Sequence, residues 1–164
     1  MPQAAGEFYG GCGAAGDTAQ GEWAAMFGEY TKAFPEEAKS FERMTGGALP
    51  EGWMDALPRF TTESPTKASR IYSQMVLDSL TKAIPDLIGG SADLTPSNMT
   101  RVDEMAVDFQ KATPHGRYLR FGVREHGMAA VCNGLAAYGG LIPYCATFLN
   151  FVGYALGAVR ISAL

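Results

Sequence analysis

The stretch Arg120–Ala130, RFGVREHGMAA, decides how this chain is read. The run from Tyr118 to Val123 leads into it with the aromatic and β-branched content of a strand. Met128, Val131, Cys132 and Leu135 follow at helical spacing and predict a helix over 124–140, closed by Gly139 and Gly140. Arg124, Glu125 and His126 therefore stand at a strand-to-helix junction. In open α/β sheets such junctions lie at the C-terminal ends of strands, where ligands bind. A helix dipole also favours a first-turn glutamate for its own sake, so pattern alone gives Glu125 an ordinary explanation.

The same grammar extends in both directions. LIPYCATF (141–148) reads as a strand and LNFVGYALGAVRISAL (149–164) as a helix. Upstream, TESPTKASRIYSQMVLDSLTKAIP (62–85) reads as a helix. Its expected N-cap is Ser64 or Thr66, and Pro85 is its stop. DLIGGSADL predicts a short strand entering a glycine-containing loop, and MTRVDEMAVDFQ a weak helix. Alternating strands and helices imply a parallel sheet in an α/β domain. The late helices are apolar nearly all round, so they expect burial on both faces and partners beyond this sheet.

Residues 1–60 follow other rules. GDTAQGEWAAMFGEYTKAF sets Trp23, Met26, Phe27 and Tyr30 on one helical face, and FPEEAKSFERM offers a second helix with Pro35 and two glutamates at its start. TGGALPEGWMDALPRF reads as irregular. The expected layout is a helical arm or linker over 1–60 and an incomplete α/β domain over 61–164.

The 164 residues carry a net charge of −4 and 47% apolar side chains, enough for a packed core and adverse to a general nucleic-acid or anionic-membrane surface. No apolar run spans a bilayer, and the first residues lack the features of a signal peptide. Cys12, Cys132 and Cys145 show neither CxxC nor paired spacing and fit a reduced compartment. His115 and His126 are too few and too far apart for a typical histidine metal site.

Three more constellations stand out. GGSADLTPSN (Gly89–Asn98) combines small residues with Ser91, Asp93, Thr95, Ser97 and Asn98; it matches no P-loop and is also what an ordinary turn uses. Phe148, Phe151 and Tyr154 recur at i, i+3, i+6 and suit either a core or a flat heteroaromatic ligand. Arg70 lies beside the apolar face of its helix, on the surface or within reach of an anion. Gly153 and Gly157 predict close helix packing.

Together GGSADLTPSN, RFGVREHGMAAVCNGLAAYGG and YCATFLNFVGYALGAVRISAL resemble three successive signatures of the transketolase family, from about Phe60 to Leu164. The first sixty residues more loosely resemble that family's interdomain segment. The resemblance implies a partial thiamine-diphosphate pyrimidine-binding domain and two-carbon ketol transfer between sugar phosphates. It carries Glu125 onto the glutamate whose carboxyl faces the pyrimidine ring nitrogen and favours the ring's imino tautomer, the form that accepts the thiazolium proton. The glutamate's apolar setting would then tune its pKa. Phe148, Phe151 and Tyr154 match the pyrimidine pocket, Asp93 an aspartate near the cofactor and the subunit contact, and Arg70 with Ser97 the grip on the substrate's terminal phosphate. His126 receives no role.

The diphosphate and its Mg2+ or Ca2+ would be held by a domain absent from this chain, in a second subunit of a homodimer. The expected partners are therefore sugar phosphates and the missing transketolase domains or subunit, with no nucleic acid, no membrane and no metal ligand of its own. The chain alone is expected to be inactive. The expected location is cytoplasmic, or plastid where a longer parent carries a transit peptide, in a pentose phosphate or Calvin cycle setting. The alternative reading is a non-catalytic truncated module that binds full-length transketolase subunits.

Overall fold

The computed structural model describes residues 2–164 and divides into two compact units, one ending at Arg43 and one beginning at Met44. The sequence-based boundary at 60 falls inside the second unit, in an irregular stretch holding one 3-10 turn, Trp53–Ala56.

The first unit is helical: α1 (Gln3–Gly10), α2 (Cys12–Ala33) and most of α3 (Pro35–Thr45). Helix extends further toward the N-terminus than the sequence reading, whose first helix opened at Gly16. The intervening glycines cost helix stability, yet alanines, the best helix formers, recur through the run. The aromatic face expected on α2 exists as a ladder. Trp23 stacks on Phe27 at 5.0 Å and 9°, and Phe27 meets Tyr30 at 6.2 Å and Phe41 at 5.4 Å. No residue of α2 is buried.

The second unit carries α4 (Ser69–Ala83), β1 (Leu87–Ser91), α5 (Thr95–Asn98), β2 (Tyr118–Arg120), α6 (Glu125–Tyr138), β3 (Ile142–Ala146) and α7 (Leu156–Ser162). The strands form a parallel sheet in the order β2-β1-β3. Gly89 pairs with Tyr118 on one side, and Leu87 through Ser91 pair with Ile142 through Ala146 on the other. The central strand β1 is buried along its whole length, as expected of a strand covered on both faces. Gly89 and Gly90 are built for this position. A Cβ at Gly90 would lie 1.8 Å from Leu119 O, and one at Gly89 would lie 2.1 Å from Tyr144 O. These two glycines therefore serve strand packing, not the approach of backbone to a ligand.

Two local expectations fail. The N-cap of α4 is Ala68, not Ser64 or Thr66, because Ser64 Oγ instead accepts from Thr61 N (2.9 Å) and closes the preceding turn. Residues 99–110 form no α-helix. They make one 3-10 turn, Asp103–Met105, and a bridge from Asp108 to Tyr118. The apolar Val102 and Met105 are drawn into a core with Tyr118, Leu77 and Tyr144 rather than onto a helical face.

Arg117 ties this core together and carried no expectation from the sequence. Its guanidinium donates to Thr81 O (3.0 Å), Ile84 O (3.2 Å) and Pro85 O (3.1 Å). It thus satisfies the carbonyls left open where α4 ends.

A small second core of Ala129, Ala155 and Ala158 joins α6 to the chain's last segment. Asn133 Nδ2 donates to Ala158 O at 2.9 Å. Gly157 lies under the His126 ring, where a Cβ would come within 3.2 Å of Cε1, whereas Gly153 has nothing within 4 Å among the described residues. Only one member of the expected glycine pair makes a close helix contact, and His126 acts as its cover. The outer faces stay open: Tyr138, Leu149, Leu156 and Ile161 are exposed. Among the described residues, no helix is long and apolar enough to cross a membrane.

Candidate ligand site at the C-terminal edge of the sheet

All three strands end on one edge. Because β1 sits between β2 and β3, its C-terminal end is a topological switch point, the place where open α/β sheets form ligand crevices. Two clefts open there.

The first, about 540 Å³, is lined by Ala92, Asp93, Leu94, Val123, Glu125, Phe151 and Tyr154. Glu125 is the first residue of α6 and is half-buried. Its carboxylate has no hydrogen-bond partner among the described residues. The apolar setting expected of it is only partly formed by this chain. Arg124, the N-cap, turns its guanidinium back onto Phe121 O (2.9 Å) and leaves the carboxylate alone. Asp93 sits in the loop after β1 with φ 61°, the left-handed region that aspartate tolerates better than most residues.

The aromatic row owes its shape to a departure from the expected α-helix. Leu149–Ala155 is a 3-10 helix, and only from Leu156 does the chain become α-helical. With three residues per turn, side chains at i and i+3 lie directly above one another. Phe148 and Phe151 stack at 6.1 Å and 17°, and Phe151 and Tyr154 follow at 6.3 Å and 32°. An α-helix would have fanned the same residues apart.

The second cleft, about 400 Å³, includes Ser69, Arg70, Ser73, Ser97, Asn98, Thr147 and Phe148. It brings Arg70, in the first turn of α4, together with Ser97 of α5, although 27 positions separate them in sequence. Phe148 lines this cleft and not the first, so the aromatic row forms the wall between the two. Thr147 Oγ1 is buried here without a hydrogen-bond partner. A buried hydroxyl left open costs roughly 1–3 kcal/mol, which suits a wall that receives a polar ligand. The sequence reading missed Thr147; its only signal was a hydroxyl between strand and aromatic row.

The loop's other polar groups serve the protein. Ser91 Oγ accepts from Leu94 N (3.0 Å) and Asn98 Nδ2 (2.9 Å). Thr100 donates to Asn98 Oδ1 (3.0 Å), and Thr95 and Thr100 both bond to the buried Tyr118 hydroxyl. Asp93 and Ser97 line the clefts, and neither side chain makes a hydrogen bond among the described residues.

A parallel α/β sheet with two clefts at its switch point, one walled by a free carboxylate and stacked rings, defines a nucleotide- or coenzyme-type binding domain. The family described as transketolase, pyrimidine-binding domain matches residues 65–164, and the chain belongs to that family. It is 55% identical over 150 residues to chloroplastic transketolase-1 of Arabidopsis thaliana, covering 91% of this chain and 20% of that protein. Against transketolase 2 of Saccharomyces cerevisiae it is 54% identical, with 87% and 22% covered. Among solved structures, a Pichia stipitis transketolase variant crystallised with fructose 6-phosphate superposes with a TM-score of 0.91 at 43% identity, covering 99% of this chain and 25% of that one. The chain thus spans between a fifth and a quarter of the length of these relatives.

Proposed function

We propose that this chain supplies the pyrimidine side of a thiamine diphosphate site for two-carbon ketol transfer between sugar phosphates. The observation that carries this reading is the convergence of Asp93, Glu125, Phe151 and Tyr154 on one cleft at the sheet's switch point. The residues fit the group: a half-buried carboxylate without a hydrogen-bond partner among the described residues suits a ring nitrogen, and Phe151 with Tyr154 offers an apolar aromatic face. When bound, the cofactor supplies a carbanion-stabilising centre that a protein side chain cannot.

Glu125 would present its carboxyl to the ring nitrogen, and a bound ring would complete its burial. Phe151 stacks on the ring, with Tyr154 extending the wall. Asp93 orients polar groups at the cleft's rim. In the neighbouring cleft Arg70 and Ser97 grip a terminal phosphate, the guanidinium by its paired donors. The diphosphate and its divalent cation belong to another domain, which agrees with the resemblance to much longer relatives. The chloroplastic names of the plant relatives agree with a plastid parent, while the yeast relative at similar identity carries no such name.

The test is a chimera in which residues 65–164 replace the matching segment of the yeast relative. Ketol transfer should survive the exchange, and Glu125→Gln in the chimera should lower kcat by about 100-fold or more. The isolated chain should show none. Full activity of the Glu125→Gln chimera would sink the assignment. A second reading, a module that docks on full-length subunits without catalysis, draws on the exposed Tyr138, Leu149, Leu156 and Ile161. Co-purification of the chain with an intact transketolase, without gain of activity, would favour it.

A further inference from the structure

Cys132 and Cys145 lie thirteen positions apart, on α6 and β3, with no spacing that marks them as a pair. The fold makes them one. In β3, Tyr144 turns toward the core of Val102, Met105 and Tyr118 and donates to Thr100 O at 2.8 Å. Successive strand residues point to opposite faces, so Cys145 turns the other way, toward the α6 side. Cys132 is buried on α6 with its sulfur 3.9 Å from the Tyr144 carbonyl oxygen, one peptide link from Cys145. The residue paired with Cys145 across the sheet is Gly90, which has no side chain to screen it. Both thiols are free, and Cys145 is exposed.

We propose that Cys145 and Cys132 form a dithiol site that reacts with small-molecule disulfides, Cys145 as the attacking thiolate and Cys132 as the resolving thiol. The electrostatics agree with this division. A hydrogen bond from Cys132 stabilises the Cys145 thiolate and lowers that thiol to about 7, against a smaller upward push from burial. Cys132 is correspondingly held protonated, first by donating to Cys145 and then by its own burial. Among the described residues, Cys132 is the only titratable group acting on Cys145.

The chemistry closes with oxidised glutathione as the oxidant. The Cys145 thiolate attacks one glutathione sulfur, the S–S bond breaks, and one glutathione leaves as thiolate. Cys145 is then no longer an anion, so the main cause of Cys132's high proton affinity is gone. Cys132 loses its proton to solvent and attacks the Cys145 sulfur, and the second glutathione departs. Two protein thiols become one disulfide while one glutathione disulfide becomes two thiols.

The experiment uses the chain with Cys12→Ser, which removes the exposed arm thiol, treated with oxidised glutathione under dilute conditions. Intact mass and peptide mapping should show loss of two hydrogens, an internal Cys132–Cys145 link and no retained glutathione. Cys132→Ser should trap one glutathione on Cys145, and Cys145→Ser should leave Cys132 unmodified. Should Cys132→Ser fold poorly, Cys132→Ala serves, and the mass of the otherwise native chain decides by itself. Glutathione retained on Cys145 beside a free Cys132, or disulfide-linked dimers in place of the internal bond, would overturn the proposal.

Discussion

The helical arm and the α/β unit use similar residues to opposite ends. Helix α2 runs for 22 residues without burying one, and its Trp23 and Tyr30, with Phe34 just beyond its end, remain 43%, 40% and 51% exposed. In the α/β unit a single tyrosine, Tyr118, is 0% exposed, and its hydroxyl holds two threonines. The arm is held by local hydrogen bonds and a surface ring ladder. The α/β unit is held by contacts between residues far apart in sequence. A helical face read from spacing is an offer of burial, and only a partner element converts it into stability.

Chemical denaturation of paired variants would break or sharpen that contrast. Tyr118→Ala should cost about 4 kcal/mol, since it opens a cavity and strands two hydroxyls. Trp23→Ala in the arm should cost about 1 kcal/mol, the worth of a stacked pair at a surface. Equal losses at both positions would mean that the arm's rings are covered by a further partner.

Glycine gives the next largest effect, with a reversal of sign. Gly90→Ala pushes a Cβ into Leu119 O, in the middle of the β1–β2 pairing, and should destabilise by about 3 kcal/mol. Gly21→Ala, with nothing within 4 Å of the new carbon, should stabilise the arm by about 0.5–1 kcal/mol. A loss of helicity in circular dichroism for Gly21→Ala would contradict the arm as described.

The smallest pair concerns charge. Arg117→Lys removes the fork that reaches three carbonyls at the end of α4 and should cost about 1–2 kcal/mol. Lys32→Met breaks a 2.6 Å pair with Glu29, but both side chains are about three-quarters exposed, and the loss should stay below about 0.5 kcal/mol. Thermal melts of the two variants side by side would show whether the order holds.

Some of the site could be read before any coordinates. Glu125 is the first residue of α6 because strand and helix periodicities meet there, and Gly139 ends that helix at a positive φ of 86°, which glycine adopts freely. Pro35 and Pro85 bounded helices where a missing N–H and a fixed φ require it. Asp93, Ser97 and Arg70 stood out as candidates by pattern, but their roles came only through resemblance. Spacing along a chain cannot say that an α4 arginine and an α5 serine share a cleft.

What the sequence determined by itself was local: the alternation of strands and helices, the junction that carries Glu125, and the breaks at glycine and proline. These follow from steric limits on φ and ψ and from side-chain periodicity, which need no distant partner. What the tertiary structure decided was every long-range choice. It recruited residues 99–110 into a core instead of a helix and tightened 149–155 into the 3-10 turn that stacks Phe148, Phe151 and Tyr154. It used Arg117 to close α4 and brought Cys132 against β3. Those outcomes depend on which groups compete for the same buried volume, and that competition is settled only when the elements pack.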